Sequence, residues 1–218
     1  MKDYDAPNTK LALVLAAGEL FSERGFDGVS TREIAQKADA KLGSIYYHFQ
    51  TKEKLYIEAF RYAVSKGKRK TVRQIVDKNP KRLGSPEGLA EIVWETILDF
   101  FQDVLFQKAP EWKNRLITRE LYHPSAVMPR LVEEIFREVY EDIKSLYFLV
   151  KPDGSEADAS IWSMFLPGIA TFYNHNRDIL LEILGKKAFD TEFLHKATKA
   201  TAKMMILYLN LPLPEGLR

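Results

Sequence analysis

Between residues 41 and 48 the chain carries Lys41, Ser44, Tyr46, Tyr47 and His48, and no acidic side chain. Short and aromatic hydrogen-bonding groups beside a cation suit the base edges of a DNA major groove. Lys52 follows at the predicted start of another helix, where free backbone amides and an ammonium together favour a phosphate. A second constellation points to different chemistry. Glu120-x-x-His123 and Glu192-x-x-His195 are Glu-x-x-His units, each resembling half of a carboxylate-bridged di-iron site in a helical bundle. A nucleic-acid-binding module and a di-iron enzyme are therefore alternatives. Pro124, directly after His123, puts the first pair at a helix end and counts against the enzyme. No Gly-x-Ser-x-Gly, His-Glu-x-x-His or glycine-rich phosphate loop occurs, and zero cysteines exclude a thiol nucleophile, a Cys-containing zinc site and a disulfide scaffold. Neither metal nor cofactor is expected.

The elements that must position these groups are helices, because apolar residues recur at spacings of three and four almost everywhere and no stretch alternates for long. The spacing predicts an all-α chain of about nine helices. The first runs from about Asn8 to Arg24, with Leu11, Val14, Leu15, Ala17, Leu20 and Phe21 inward and Gly25 as its C-cap. Ser30-Thr31-Arg32-Glu33 is a capping box for a second helix over 31–37. After a break at 38–41 comes a short helix over 42–49, and Thr51 caps a fourth. Ala35 and Ala38 let the second and third helices approach steeply, over a wedge of Ile34, Ile45 and Phe49.

Gly67, Asn79-Pro80 and Gly84-Ser85-Pro86 punctuate the far end of the fourth helix. Further helices are expected over about 86–107, 110–121, 125–150, 155–184 and 191–209, with Pro167-Gly168 kinking the fourth of these. The cluster Lys66, Lys68, Arg69, Lys70 and Arg73 reads as a solvated face rather than a second DNA contact.

The chain has 218 residues, 46% of them apolar, enough for one large domain or two small ones. Its net charge of +2 hides a division: residues 1–82 hold 17 Lys and Arg against 10 Asp and Glu, whereas residues 83–218 hold 15 against 20. A basic end on an acidic body implies a polyanion partner for that end alone. The longest apolar run, 11–17, is far short of a membrane span, and the first five residues are too acidic for a signal peptide. The expected location is the cytoplasm, without a membrane partner.

The residues Ala16-Ala17, Leu20-Phe21, Glu23, Gly25-Phe26, Gly28, Thr31-Arg32-Glu33-Ile34-Ala35, Ala38, Gly43-Ser44-Ile45-Tyr46-Tyr47-His48-Phe49, Lys52-Glu53 and Leu55 closely resemble the N-terminal pattern of the TetR (tetracycline repressor) family of bacterial transcriptional regulators. Asp39 stands where that family usually has Gly, and Lys41-Leu42 removes the usual N-cap of its recognition helix. Arg119-Glu120-Leu121, Pro124-Ser125 and Arg130-Leu131-Val132 look like the C-terminal domain of the CecR-type branch.

The resemblance implies a three-helix DNA-binding domain over 1–54 and a helical effector-binding and dimerisation domain over 55–218. It implies a double-stranded, palindromic DNA operator contacted by Thr31, Arg32, Lys41, Ser44, Tyr46, Tyr47, His48 and Lys52. It implies repression as a homodimer, relieved when a small effector alters the spacing of the recognition helices through the fourth helix. Downstream aromatics are mostly core, but an apolar or aromatic effector needs a pocket; Trp94, Phe165 and Phe172 near the Pro167 kink are candidates to line it. Arg119, Asn174 and His175, with Glu120, sit in apolar helices as polar orienting groups, although Arg119 and Glu120 serve equally as structural residues. Ala197, Ala200, Thr201 and Met204, with Ile161, Phe165, Ile169 and Phe172, form half of a four-helix interface between copies, or else intramolecular packing.

Overall fold

The computed structural model describes residues 7–64, 69–106 and 110–218. Among them no strand occurs, and the chain is all-α. In order the helices are α1 (Pro7–Arg24), α2 (Thr31–Lys37), α3 (Leu42–Phe49), α4 (Lys52–Val64), α5 (Val72–Lys78) and α6 (Pro86–Phe101). They continue as α7 (Glu111–Tyr122), α8 (Met128–Leu131), α9 (Arg137–Val150), α10 (Glu156–His175), α11 (Arg177–Leu184) and α12 (Thr191–Tyr208). π-Helical turns over Gln102–Phe106 and Val132–Phe136 extend α6 and join α8 to α9. By contacts the chain divides into two units, residues 1–66 with 108–136 and residues 67–107 with 137–218.

In the first unit local signals set the element ends. Gly25 turns left-handed (φ +76) and its amide donates to the Phe21 carbonyl at 2.8 Å. Asp39 takes up the left-handed turn (φ +49), which Asp tolerates through its short polar side chain. One core holds Leu13, Ala17 and Phe21 of α1, Ile34 of α2, Ile45 and Phe49 of α3, and Leu55, Tyr56 and Phe60 of α4. Leu11, expected inward, is 43% exposed. It lies two positions from fully buried Leu13, and at 3.6 residues per turn that puts it on the far side of the helix.

The same core continues into Trp112 and Leu116 of α7, and into Val127, Leu131 and Ile135. Trp112 packs so closely on α1 that a Cβ at Gly18 would lie 2.2 Å from its ring. Its indole also stacks on Tyr62 (6.2 Å, 9°), over which the Lys113 ammonium sits at 4.1 Å.

The second unit closes around Ile92, Val93, Ile97 and Phe101 of α6, Ile143 and Leu146 of α9, Trp162 and Leu166 of α10, and Met205 and Ile206 of α12. The Trp162 indole N–H donates to the Met205 carbonyl at 3.0 Å and fixes α10 against α12. Helix α5 lies outside the expected set, although Thr71 and Gln74 make a capping box for it. Asp142 accepts from the Val72 amide at 3.0 Å and pairs with Arg69 at 2.9 Å, while Lys70 meets Glu95 and Asp99. Arg69 and Lys70 are thus tied structural groups rather than a solvated face. Arg73 is exposed beside Asp77, and Lys66 and Lys68 lie outside the described residues.

Helix α10 runs on through Pro167, and the expected 155–184 helix is interrupted instead at Asn176. That interruption, the π-turn within 125–150 and the separate α5 account for more helices than the nine expected.

Candidate nucleic-acid interface

Helix α2 is anchored at its first turn. The Ser30 Oγ accepts from the Glu33 amide at 3.2 Å, and the Glu33 carboxylate accepts from the Ser30 amide at 2.8 Å and from Arg24 of α1 at 2.7 Å. The Ser30 backbone hydrogen bond, then Arg24 and the Ser30 hydroxyl, lower the Glu33 pKa to about 2. Lys37 pairs with Glu19 at 2.9 Å, a second tie to α1. Thr31 and Arg32 sit on that first turn, Thr31 half-buried and Arg32 exposed.

Helix α3 has eight residues, and its apolar positions Ile45 and Phe49 are 0% and 3% exposed. With one face locked into the core, the other is presented outward: Tyr46 is 51% and Tyr47 69% exposed. Lys41, at the N-cap position, makes no side-chain cap and is exposed. Ser44 and His48 are half-buried, and the Tyr47 and His48 rings meet edge to face at 5.0 Å. No carboxylate lies on this helix. Lys41, Ser44, Tyr46, Tyr47 and His48 are thus brought onto one short element.

The turn into α4 is tight: Gln50 is left-handed (φ 64), and the Thr51 amide donates to the Phe49 carbonyl at 2.7 Å. Thr51 then caps α4 by accepting from the Lys54 amide at 3.1 Å. Lys52 opens the helix with its ammonium 4.3 Å from the Phe26 ring centroid, a cation–π contact at the edge of the same unit.

Sequence reasoning missed three neighbours of α3. Lys10 lies over Phe49 at 5.9 Å, Gln50 accepts from the Lys54 ammonium, and a cavity of 250 Å³ opens among Lys10, His48, Gln50, Lys54, Glu58 and Arg130. The basic character of residues 1–82 was the available signal, but it does not single out individual residues.

The residues expected around an effector are not all brought together. Trp94 and Phe165 pack at the edge of the second unit's core, and Phe165 meets Tyr208 edge to face at 5.9 Å. Asn174 donates to the Val104 carbonyl in the π-turn at 3.4 Å, and the His175 Nδ1 lies 2.9 Å from the Thr171 carbonyl. Phe172 is 52% exposed. Arg119 is engaged elsewhere: it belongs to the first unit and donates to the Glu23 carbonyl at the end of α1, at 3.3 Å.

The di-iron alternative fails on geometry. Glu120 is buried and already accepts from Tyr56 and Ser125, His123 is exposed at the C-cap of α7, and Glu192 pairs with Lys196 at 2.7 Å. Among the described residues no group of three or more His, Cys, Asp or Glu is placed to hold a metal ion. No helix there is long and apolar enough to cross a membrane.

The model of bacterial regulatory proteins of the tetR family matches residues 13–59, and that of the C-terminal domain of the HTH-type transcriptional dual regulator CecR matches residues 92–209. The HTH-type transcriptional regulator QacR of Staphylococcus aureus is 37% identical over 59 residues, 27% of this chain and 31% of QacR. The "Probable HTH-type transcriptional regulator YttP" of Bacillus subtilis is 27% identical over 149 residues, 68% of this chain and 66% of YttP. The chain thus spans under two thirds of each relative's length. Among solved structures, NalD of Pseudomonas aeruginosa, the secondary repressor of a multidrug efflux pump, shares the fold with a TM-score of 0.62 at 22% identity, covering 93% of this chain and 97% of NalD. The helix-turn-helix ending in Tyr46-Tyr47-His48-Phe49, together with a CecR-type region over more than half its length, places this chain in the TetR family of DNA-binding transcriptional regulators.

Proposed function

We propose that the protein is a repressor that binds a palindromic operator as a homodimer and leaves it when a small apolar or aromatic effector binds. The observation that carries this reading is the outward face of α3, aromatic and free of carboxylates, held rigidly by buried Ile45 and Phe49. Residues 1–54 read the DNA, with Lys41, Ser44, Tyr46, Tyr47 and His48 toward base edges and Thr31, Arg32 and Lys52 toward the backbone. Eight helical residues span about 12 Å, or roughly three to four base pairs, too few for specificity from one copy. Two copies on half-sites about 10 to 10.5 bp apart, or a multiple, meet that need.

Residues 55–218 serve pairing and effector binding. Ile161, Met164 and Phe172 of α10 and Met204, Leu207 and Tyr208 of α12 are exposed. This supports an interface through these helices, with Ala200 and Gly168 allowing close approach. Thr201, expected on the same stripe, is buried with its Oγ1 donating to Ala197 and takes no part. Trp94, Phe165, Phe172, Asn174 and His175 remain the effector candidates. An effector favouring the non-binding arrangement by a few kcal/mol empties the operator, and a regulator of DNA in this family works in the cytoplasm.

A library of apolar and aromatic compounds screened by thermal melting tests the effector. A true effector at a hundred times its dissociation constant stabilises the protein by about 2.7 kcal/mol, and the same compound must release DNA. Compounds that raise the melting temperature yet never release DNA would remove ligand-responsive release from this reading.

A further inference from the structure

A cleft of 250 Å³ opens at the end of α3, and every residue that lines it belongs to the first unit. Its walls come from distant parts of the chain: Lys10 of α1, His48 and Gln50 at the end of α3, Lys54 and Glu58 of α4, and Arg130 of α8. At roughly 30 Å³ per water, that volume admits a small anion together with bound waters.

The carboxylates of the cleft are already matched by arginines. Glu58 pairs with Arg61 at 3.3 Å, Glu134 pairs with Arg130 at 2.6 Å and with Arg61 at 3.6 Å, and Arg130 also holds Glu53 at 3.1 Å. The two lysines are not so matched. Among the described residues neither has a carboxylate partner: the Lys10 ammonium lies over the Phe49 ring at 5.9 Å, and the Lys54 ammonium donates to Gln50. Each stands in the first turn of its helix, where the helix dipole adds positive potential. Besides His48, four cations (Lys10, Lys54, Arg61 and Arg130) and three carboxylates (Glu53, Glu58 and Glu134) meet here, leaving one positive charge, the counterpart of a single phosphodiester. Lys52, two positions before Lys54, is engaged elsewhere, its ammonium over Phe26 at 4.3 Å.

We propose that this cleft is an anion site, separate from the outward face of α3, in which Lys10 and Lys54 hold a phosphate group. Its place at the C-terminal end of α3 suits a backbone phosphate flanking the half-site, which lengthens the operator without adding a base contact. A free phosphate offers the same chemistry. The backbone source rests on the DNA-reading role proposed above for α3, whereas the charge of the cleft does not.

The test has two arms, each run on the wild type, on the double variant Lys10→Gln with Lys54→Gln, and on Lys54→Arg. In the first, the wild type selects an operator from a randomised duplex pool, and that operator is remade with a neutral methylphosphonate at one flanking linkage after another. A backbone source predicts a linkage whose neutralisation costs the wild type about fivefold in affinity, as for an exposed ion pair, and costs the double variant nothing further. On the unmodified operator the double variant loses about the same fivefold, its base preference is unchanged and its salt slope is smaller by about one. Lys54→Arg keeps the wild-type pattern. In the second arm, melting curves are recorded without DNA in inorganic phosphate and in chloride at equal ionic strength. A free-phosphate source predicts a phosphate-dependent rise in melting temperature for the wild type and Lys54→Arg that the double variant lacks. Additive losses at every linkage, together with no such rise, would overturn the proposal. A wild type that selects no operator would instead overturn the recognition reading, and the phosphate arm then decides the cleft alone.

Discussion

At the scale of single residues, two side chains within six positions are proposed to have different duties on DNA. Tyr47 is 69% exposed on α3, so its phenol is available to base edges. Lys52 stands at the first turn of α4 with its ammonium above Phe26, a place suited to phosphate. Lys52→Ala is expected to weaken binding to all sequences alike and to reduce the salt slope by about one, whereas Tyr47→Ala shifts base preference. Binding isotherms at several salt concentrations on two unrelated duplexes check this; a Lys52→Ala protein with altered sequence preference would reverse the roles.

Glu33 supplies a pH test. Its pKa of about 2 lies below the ordinary 4.5. The stability it contributes is therefore fully present above about pH 4.5 and is lost as pH falls through about 2. Melting curves of wild type and Glu33→Gln are expected to differ at neutral pH and to converge in that acidic window. Convergence at neutral pH would show that the Glu33 charge contributes nothing.

The Ser30–Glu33 box, the Gly25 cap and the turn at Asp39 were legible because each is written within a few adjacent residues. Arg119 was not. Its partner is a backbone carbonyl almost a hundred positions away, and a carbonyl has no identity in a sequence.

At the scale of elements, the helices of the DNA-binding unit owe their placement to close approach as much as to pattern. Gly18 has the Trp112 ring 2.2 Å from where a Cβ would stand. Gly18→Ala is expected to cost about 1–3 kcal/mol by overpacking, despite alanine's better helix propensity. Gly43 of α3 has open space around it, so Gly43→Ala is expected to gain up to about 1 kcal/mol. Denaturant unfolding measures both, and a stabilised Gly18→Ala protein would mean that Trp112 does not sit against α1. Helices α1 to α3 could be read from their caps and periods to within a residue, and α4 at its start. Helix α5 could not, although its Thr71–Gln74 box is local: seven residues between glycine and proline punctuation look like a linker until Asp142 is brought to their N-terminus. The break at Asn176 was likewise hidden, because Pro167 is the stronger breaker by sequence and the helix passes through it.

At the scale of the whole molecule, the sequence divides its charge at about residue 82, while the fold divides differently and places α7 and α8 in the unit that carries the helix-turn-helix. Such pairing of distant segments leaves no periodic trace, which is why the fold class was legible and the extent of the first unit was not. The exposed apolar faces of α10 and α12 are likewise visible only once the core has been taken from the same helices. If those faces pair two copies, a charge in their midst must separate them: Ile161→Lys with Leu207→Lys is expected to give a folded monomer that has lost most of its operator affinity. Sedimentation of the wild type with its selected operator, beside this double variant, is the most direct measurement of the central claim. The account predicts two protein chains per palindromic duplex, or four if two dimers share it, for the wild type, and a free monomer for the variant. A wild type that stays monomeric both free and on DNA, while still binding its selected site, would contradict it.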